Sequence, residues 1–204
     1  MCDENDLMSG VNLQPQANFH QTNGVTELSD NTISLSSDDI DQVHRLLGRE
    51  PRGLEAIPVR SKTGGPVVIQ VAPLVDDKPF PTLFWLVDPR LNYAIDQVEA
   101  AGVIALLQAK IDASTALQQA MVKDHQSYIE YRWRAMTHVH KQQVERLGFV
   151  DVLQRRGIGG IENFKRIRCL HTYYAAHLVA PNTVGGLLED YWSSHGMPVF
   201  DHIG

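Results

Sequence analysis

Residues 114–147 contain neither proline nor glycine. The two residue types that most readily break a helix are therefore missing from a long segment. At ~1.5 Å per residue an unbroken helix there would run roughly 50 Å. A domain of this chain length is smaller than that, so a kink or break is expected inside it. The neighbouring segments are also helical in pattern. Leu91, Ala94, Ile95, Val98 and Ala101 form one stripe over 91–101, with Gly102 as a stop. Val103–Ile111, Phe164–Val179 and Val184–Ser193 read as further helices, and Gly148 and Gly157–Gly160 as loops.

Upstream of Asp88-Pro89 the period changes. Ala56–Arg60 and Pro66–Ala72 are short β-branched runs joined by Lys62-Thr63-Gly64-Gly65, which suits a hairpin. Val67–Val71 is apolar on both faces apart from Gln70, the mark of a central strand. Asp76-Asp77-Lys78-Pro79 makes a turn, and Leu83–Val87 is a third strand ended by Asp88-Pro89. Before these strands, Ser36-Ser37-Asp38-Asp39 starts an amphipathic helix carried by Ile40, Val43, Leu46 and Leu47 and closed by Gly48. The expected class is α+β: a small, mainly antiparallel three-stranded sheet packed against a helical C-terminal half. Residues 1–36, rich in Asn, Gln, Ser, Thr and Asp, read as a disordered acidic tail, and 37–204 as one globular domain.

Charge is unevenly spread. The chain carries −6 in total, but residues 1–44 hold eight acids and no Lys or Arg. The remainder is slightly basic, and 132–168 holds nine basic residues against Glu145, Asp151 and Glu162. No apolar run reaches the ~20 residues of a membrane span, and the acidic N-terminus lacks the pattern of a signal peptide. With Cys2 and Cys169 as the cysteines, a cytoplasmic protein with reduced thiols is expected.

The densest chemistry lies in Arg166–Gly186, which holds Cys169, His171 and His177. On a regular helix Cys169 and His177 stand about 80° apart in azimuth and about 12 Å along the axis, with His171 about 160° from Cys169. Such a helix cannot bring all three to one metal. A metal held by Cys169 and His171 requires an irregular helix start and donors from elsewhere, for which His125 and Asp124 are the candidates. A catalytic Cys169 would draw on Lys165, Arg166 and Arg168 nearby, with His171 or His177 as base. The residues specify no cofactor.

His125, Tyr128 and Arg132 share one face of the long helical segment, flanked by Asp124 and Tyr131. If that face meets the Cys169–His177 helix, the two complete one polar pocket. Arg155 and Arg156 precede Gly157-Ile158-Gly159-Gly160, and Lys165, Arg166 and Arg168 follow in the first turns of a helix opened by Asn163. Glycines, free N–H groups and guanidiniums suit a phosphate or carboxylate, although no Walker loop is present.

Several blocks together resemble the bacterial family catalogued as domain of unknown function 501. They are Leu47–Leu54 (LGREPRGL), Pro79–Leu86 (PFPTLFWL), Pro89-Arg90-Leu91, Glu99–Val103 (EAAGV), Gly159-Gly160, Ile167–His171 (IRCLH), Ala176-His177-Leu178 and Asn182. The resemblance spans about residues 46–186. It implies that Cys169, His171, His177, Asn182 and the Phe80-Pro81-Thr82 segment belong to a family motif, and it implies no reaction. Relatives often carry cysteine where Ser61 and Asp88 stand here, so a cysteine-rich zinc site is not implied for this chain.

The expected function is binding of a small anionic or phosphorylated ligand in a Cys/His pocket; the residues do not decide between a binding protein and an enzyme, and hydrolysis is the reaction class considered. Cys169, His171, His177 and His125 are the candidate catalytic groups. Tyr128, Arg132, Arg155, Arg156, Lys165, Arg168 and Asn182 are the candidate ligand contacts. The alternative is an interaction module whose basic face, 132–168, meets nucleic acid or an acidic protein.

Overall fold

A computed structural model describes residues 35–197 and Ile203. The tail expected over 1–36 lies outside them except for Leu35 and Ser36. Helix α1 (Ser37–Leu47) starts as its sequence requires. The Ser36 side chain accepts the Asp39 N–H while the Asp39 carboxylate accepts the Ser36 N–H, and Gly48 closes the helix in the left-handed region. The Arg60 guanidinium, together with these Ser36 contacts, holds the Asp39 carboxyl down at about 2. Ser36→Ala is expected to cost about 1 kcal/mol, read from chemical denaturation.

Strands β1 (Leu54–Arg60), β2 (Pro66–Val71) and a later β5 (Phe84–Leu86) form an antiparallel sheet in the order β1-β2-β5. β2 is central and wholly buried, as its two-sided apolar pattern requires. The Gln70 amide within it donates to the Glu55 carboxylate at 3.1 Å. Between β2 and β5 the chain makes a small hairpin, β3 (Leu74–Val75) with β4 (Lys78–Pro79). Its turn residues Asp76 and Asp77 take φ of 51° and 57°, the geometry of a tight two-residue hairpin loop.

The sheet is covered on both faces. Ile69, Val71 and Val87 pack with Val43 of α1 and with Trp85, whereas Val68, Phe84 and Leu86 join the larger core. That core is built from α2 (Pro89–Ala100), α3 (Val103–Asp112), α4 (Thr115–Ala135), α7 (Leu170–Val179) and α8 (Thr183–Ser194). Asp88 does more than end a strand: its carboxylate accepts the Arg90 and Leu91 N–H groups and caps α2 ahead of Pro89.

The long Pro- and Gly-free segment does break. Met136 leaves helical geometry (φ −64°, ψ 131°), and Thr137 caps a new helix, α5 (His138–Arg146), by accepting the His140 N–H. Met136 is buried with Leu74, Val144 and Leu153, so the break anchors a satellite core. A short α6 (Val150–Arg155) follows, between Gly148 and the Gly157–Gly160 loop, in a stretch to which the sequence pattern assigns no element.

The helix expected from Phe164 starts only at Leu170. Competing partners hold the preceding residues out of a helix. Asn163 accepts the Lys165 N–H on its side chain and the Arg166 N–H on its carbonyl. Gln108 of α3 then takes the Ile167 N–H and donates to the Lys165 carbonyl, both at 2.9 Å.

Candidate functional site

The late start of α7 decides the chemistry around it. Cys169 is extended (φ −154°, ψ 123°) and flanks the helix rather than lying in it. Its Sγ lies 3.7 Å from Nδ1 of His171. The third group comes from α2: Glu99 Oε1 lies 3.6 Å from the same Nδ1 and accepts the Leu170 N–H. On the far side of the ring, His171 Nε2 faces Asp96 Oδ1 at 3.3 Å and the Asn92 carbonyl at 3.4 Å. Asn92, Asp96 and Glu99 follow one another at spacings of four and three, so one face of α2 supplies every partner of the ring except Cys169. The Cys169 sulfur raises the His171 pKa most. Desolvation opposes it, and the Glu99 and Asp96 carboxylates add to it.

His171 also lines a cleft of about 350 Å³ with Asn92, Thr172, Thr82 and the aromatic wall of Phe80, Phe84 and Trp85. The cleft brings together the PFPT and RCLH blocks, which are distant in sequence. A second cleft, of about 240 Å³, shares Phe80 and Trp85 and contains Arg49 and Arg52. The Arg49 guanidinium sits over the Trp85 ring, 5.3 Å from its centroid, and Arg52 pairs with Asp76 at 3.0 Å.

The other expected site residues lie elsewhere. His125 is fully buried. Its Nδ1 accepts the Ile158 N–H at 2.9 Å, its Nε2 meets the Tyr173 hydroxyl at 2.9 Å, and that hydroxyl donates to the Arg166 carbonyl. Burial pushes the imidazole down to about 4, so it is neutral near pH 7. The Tyr128 hydroxyl accepts the Leu83 N–H at 2.6 Å and thereby ties α4 to β5. Arg132 is also fully buried and donates to the Leu153 and Arg156 carbonyls beneath the Tyr128 ring. This stripe joins elements; it does not face Cys169.

His177 Nδ1 accepts the Asn182 N–H at 3.0 Å, and its Nε2 reaches Glu189 at 3.4 Å. The Asn182 side chain caps α8 through the Gly185 N–H and donates to the Tyr173 carbonyl. Tyr128 and Asn182 also edge a cleft of about 160 Å³ with Asp124 and Arg134. The single pocket expected between the two helices is thus divided. Neither His125 nor Asp124 joins Cys169: Asp124 accepts the Thr183 N–H at 2.7 Å.

The glycine loop is packed, not open. A Cβ at Gly157 would stand 2.1 Å from His125 Nδ1, and one at Gly159 would stand 2.7 Å from the Thr172 hydroxyl. Nor do Lys165, Arg166 and Arg168 open a helix; they are exposed on the extended approach to α7. Arg156 pairs with Glu162 at 3.1 Å and donates to the Gly160 carbonyl, Arg166 pairs with Asp112, and Arg155 is exposed beside the Asp151 carbonyl.

Sequence reading missed Glu99, Asp96 and Asn92, and also Arg49, Arg52 and Trp85. Their signal was present. Glu99, Arg49, Arg52 and Trp85 all fall in blocks quoted for the family resemblance, and Asn92-Asp96-Glu99 is a polar stripe beside the apolar stripe of α2.

Fold and site together define an α+β protein with a Cys–His–carboxylate cluster beside an aromatic cleft. No helix among the described residues is long and apolar enough to cross a membrane. The chain belongs to the family described as Protein of unknown function (DUF501), whose family model matches residues 57–190. The matched span contains Glu99, Cys169, His171 and the whole His171 cleft. No curated protein and no solved structure matches the chain.

Proposed function

We propose that the protein binds a small anionic ligand across the Phe80–Trp85 wall and acts on it hydrolytically at the Cys169–His171–Glu99 cluster. The observation that carries this reading is the shared wall: the same two aromatic rings line the cleft holding Arg49 and Arg52 and the cleft holding His171. An apolar or aromatic body fits the wall, and the volume of the His171 cleft suits a small molecule. The anionic group belongs at Arg49, whose guanidinium matches phosphate or carboxylate, since Arg52 is already paired with Asp76 in the same cleft. It does not belong beside His171, where Glu99 and Asp96 would repel it. An imidazole next to a thiol and two carboxylates can move protons to and from a bound ligand or water. Thr82 and Thr172 add hydroxyls to the same cleft.

Calorimetry with a panel of phosphorylated and carboxylated aromatic compounds tests this. Arg49→Ala is expected to weaken binding of anionic compounds about 10–100-fold, the range for a hydrogen bond to a charged group, and to leave neutral isosteres unchanged. Arg155→Ala and Arg156→Ala should have no effect. Binding that ignores Arg49, needs Arg155 and Arg156 and falls steeply with salt would replace this reading with the nucleic-acid or acidic-partner face.

A further inference from the structure

We propose that Glu99, Cys169 and His171 form a site for one divalent transition metal of the zinc class. This deepens the preceding reading, putting a metal at the cluster in place of proton transfer by a free imidazole, and rests on it only in that His171 belongs to both cluster and cleft. The ligand-capable atoms of the three residues all lie within 4.8 Å of one another. Around a tetrahedral zinc, donors at about 2.0–2.3 Å from the metal lie about 3.3–3.6 Å apart. The separations from His171 Nδ1, 3.7 Å to the sulfur and 3.6 Å to Glu99, are within a few tenths of an ångström of that.

The surroundings supply what a metal-binding histidine needs. Asp96 and the Asn92 carbonyl take the Nε2 side of the ring, leaving Nδ1 toward Cys169 and Glu99. A ligand imidazole held from behind by a carboxylate or carbonyl is the usual second layer of such sites. A helix N-terminus by itself repels a cation. Here Glu99 already takes the Leu170 N–H, and its carboxylate with the Cys169 thiolate brings two negative charges to the metal. Sulfur and imidazole donors select against calcium and magnesium, which take oxygen. Three protein donors leave one tetrahedral position for a ligand oxygen, and one of the three, His171, also lines the cleft.

The test is a cobalt(II) titration of metal-free, full-length protein in a Cys2→Ser background, followed by displacement with zinc. One equivalent should bind with a thiolate-to-cobalt charge-transfer band. Cys169→Ser should abolish the band, and Glu99→Gln, which can still accept the Leu170 N–H, should weaken binding by at least about 100-fold. Asp96→Asn should keep the band and lose about 10–100-fold in affinity, as second-layer changes do. Absence of the band in protein shown folded by circular dichroism, or equal binding by Cys169→Ser, overturns the proposal. If cobalt fails to bind while anionic compounds still require Arg49, the metal site falls and the cleft reading stands. If cobalt binds and no compound does, the metal site stands alone.

Discussion

Gly157→Ala is expected to destabilise the protein by about 3–5 kcal/mol, from overpacking at about 1–3 kcal/mol plus lost buried hydrogen bonds at about 1–3 kcal/mol each. Gly157 needs no unusual backbone angle (φ −87°), so the penalty is one of space. The new methyl would overlap the His125 ring, with 2.1 Å to Nδ1 and 2.8 Å to Cγ. The ring cannot retreat cheaply. It is stacked on Phe164 at 4.5 Å, held by the Ile158 N–H and tied to Tyr173. A loss of that size is a large share of the ~5–15 kcal/mol that keeps a domain folded. Urea denaturation reads it directly. Gly186→Ala is the control: the site is helical with open space around it, so a gain of up to about 1 kcal/mol is expected. Combining Gly157→Ala with His125→Ala should be strongly non-additive, because removing the ring removes the clash. Additive losses would show that the two residues do not oppose each other.

This contact explains why the glycine loop misled sequence reading. Glycines followed by basic residues fit an anion loop equally well in one dimension. What separates the two readings is whether a side chain lies against the glycine, and His125 is more than thirty positions away in sequence. Local signals fared better. The Ser36 cap, the Asp76-Asp77 turn and the Gly48 and Gly102 stops all rest on interactions a few residues long, and the structure shows each of them. The start of α7 failed for the opposite reason. Phe164–Arg168 has an acceptable helical pattern, but Gln108 of another helix takes the Ile167 N–H. The same tertiary event places Cys169 beside His171. A regular helix would have separated them, so the site depends on a feature the helical pattern hides. The third member, Glu99, stands in a block shared with the family and on a polar stripe of α2, but neither signal says which side chain it meets.

Acid should weaken the wild-type protein through His125, by about 3 kcal/mol in total. Burial lowers its pKa to about 4 in the folded chain against an ordinary value of 6.5. As pH falls through 6.5 the unfolded chain takes up a proton that the folded chain refuses, so stability falls until the folded imidazole titrates near 4. At ~1.36 kcal/mol per pKa unit the full loss is about 3 kcal/mol, of which about 2 kcal/mol appears between pH 7 and pH 5. The hydrogen bonds agree with this sign. Nδ1 is occupied as an acceptor from Ile158, so a proton there would cost that bond as well. His171 works in the opposite direction. Its raised pKa adds stability below its unfolded value and removes it as pH rises through the folded one, so the total pH profile understates His125. The comparison that isolates the effect is wild type against His125→Gln, by urea midpoint at pH 7, 6 and 5. The wild type should lose about 2 kcal/mol more than the variant over that interval. Parallel curves would mean that the buried imidazole is not held neutral. Because His125 joins α4 to the Gly157–Gly160 loop and, through Tyr173, to α7, its protonation would loosen the frame that holds Cys169 and His171 beside α2.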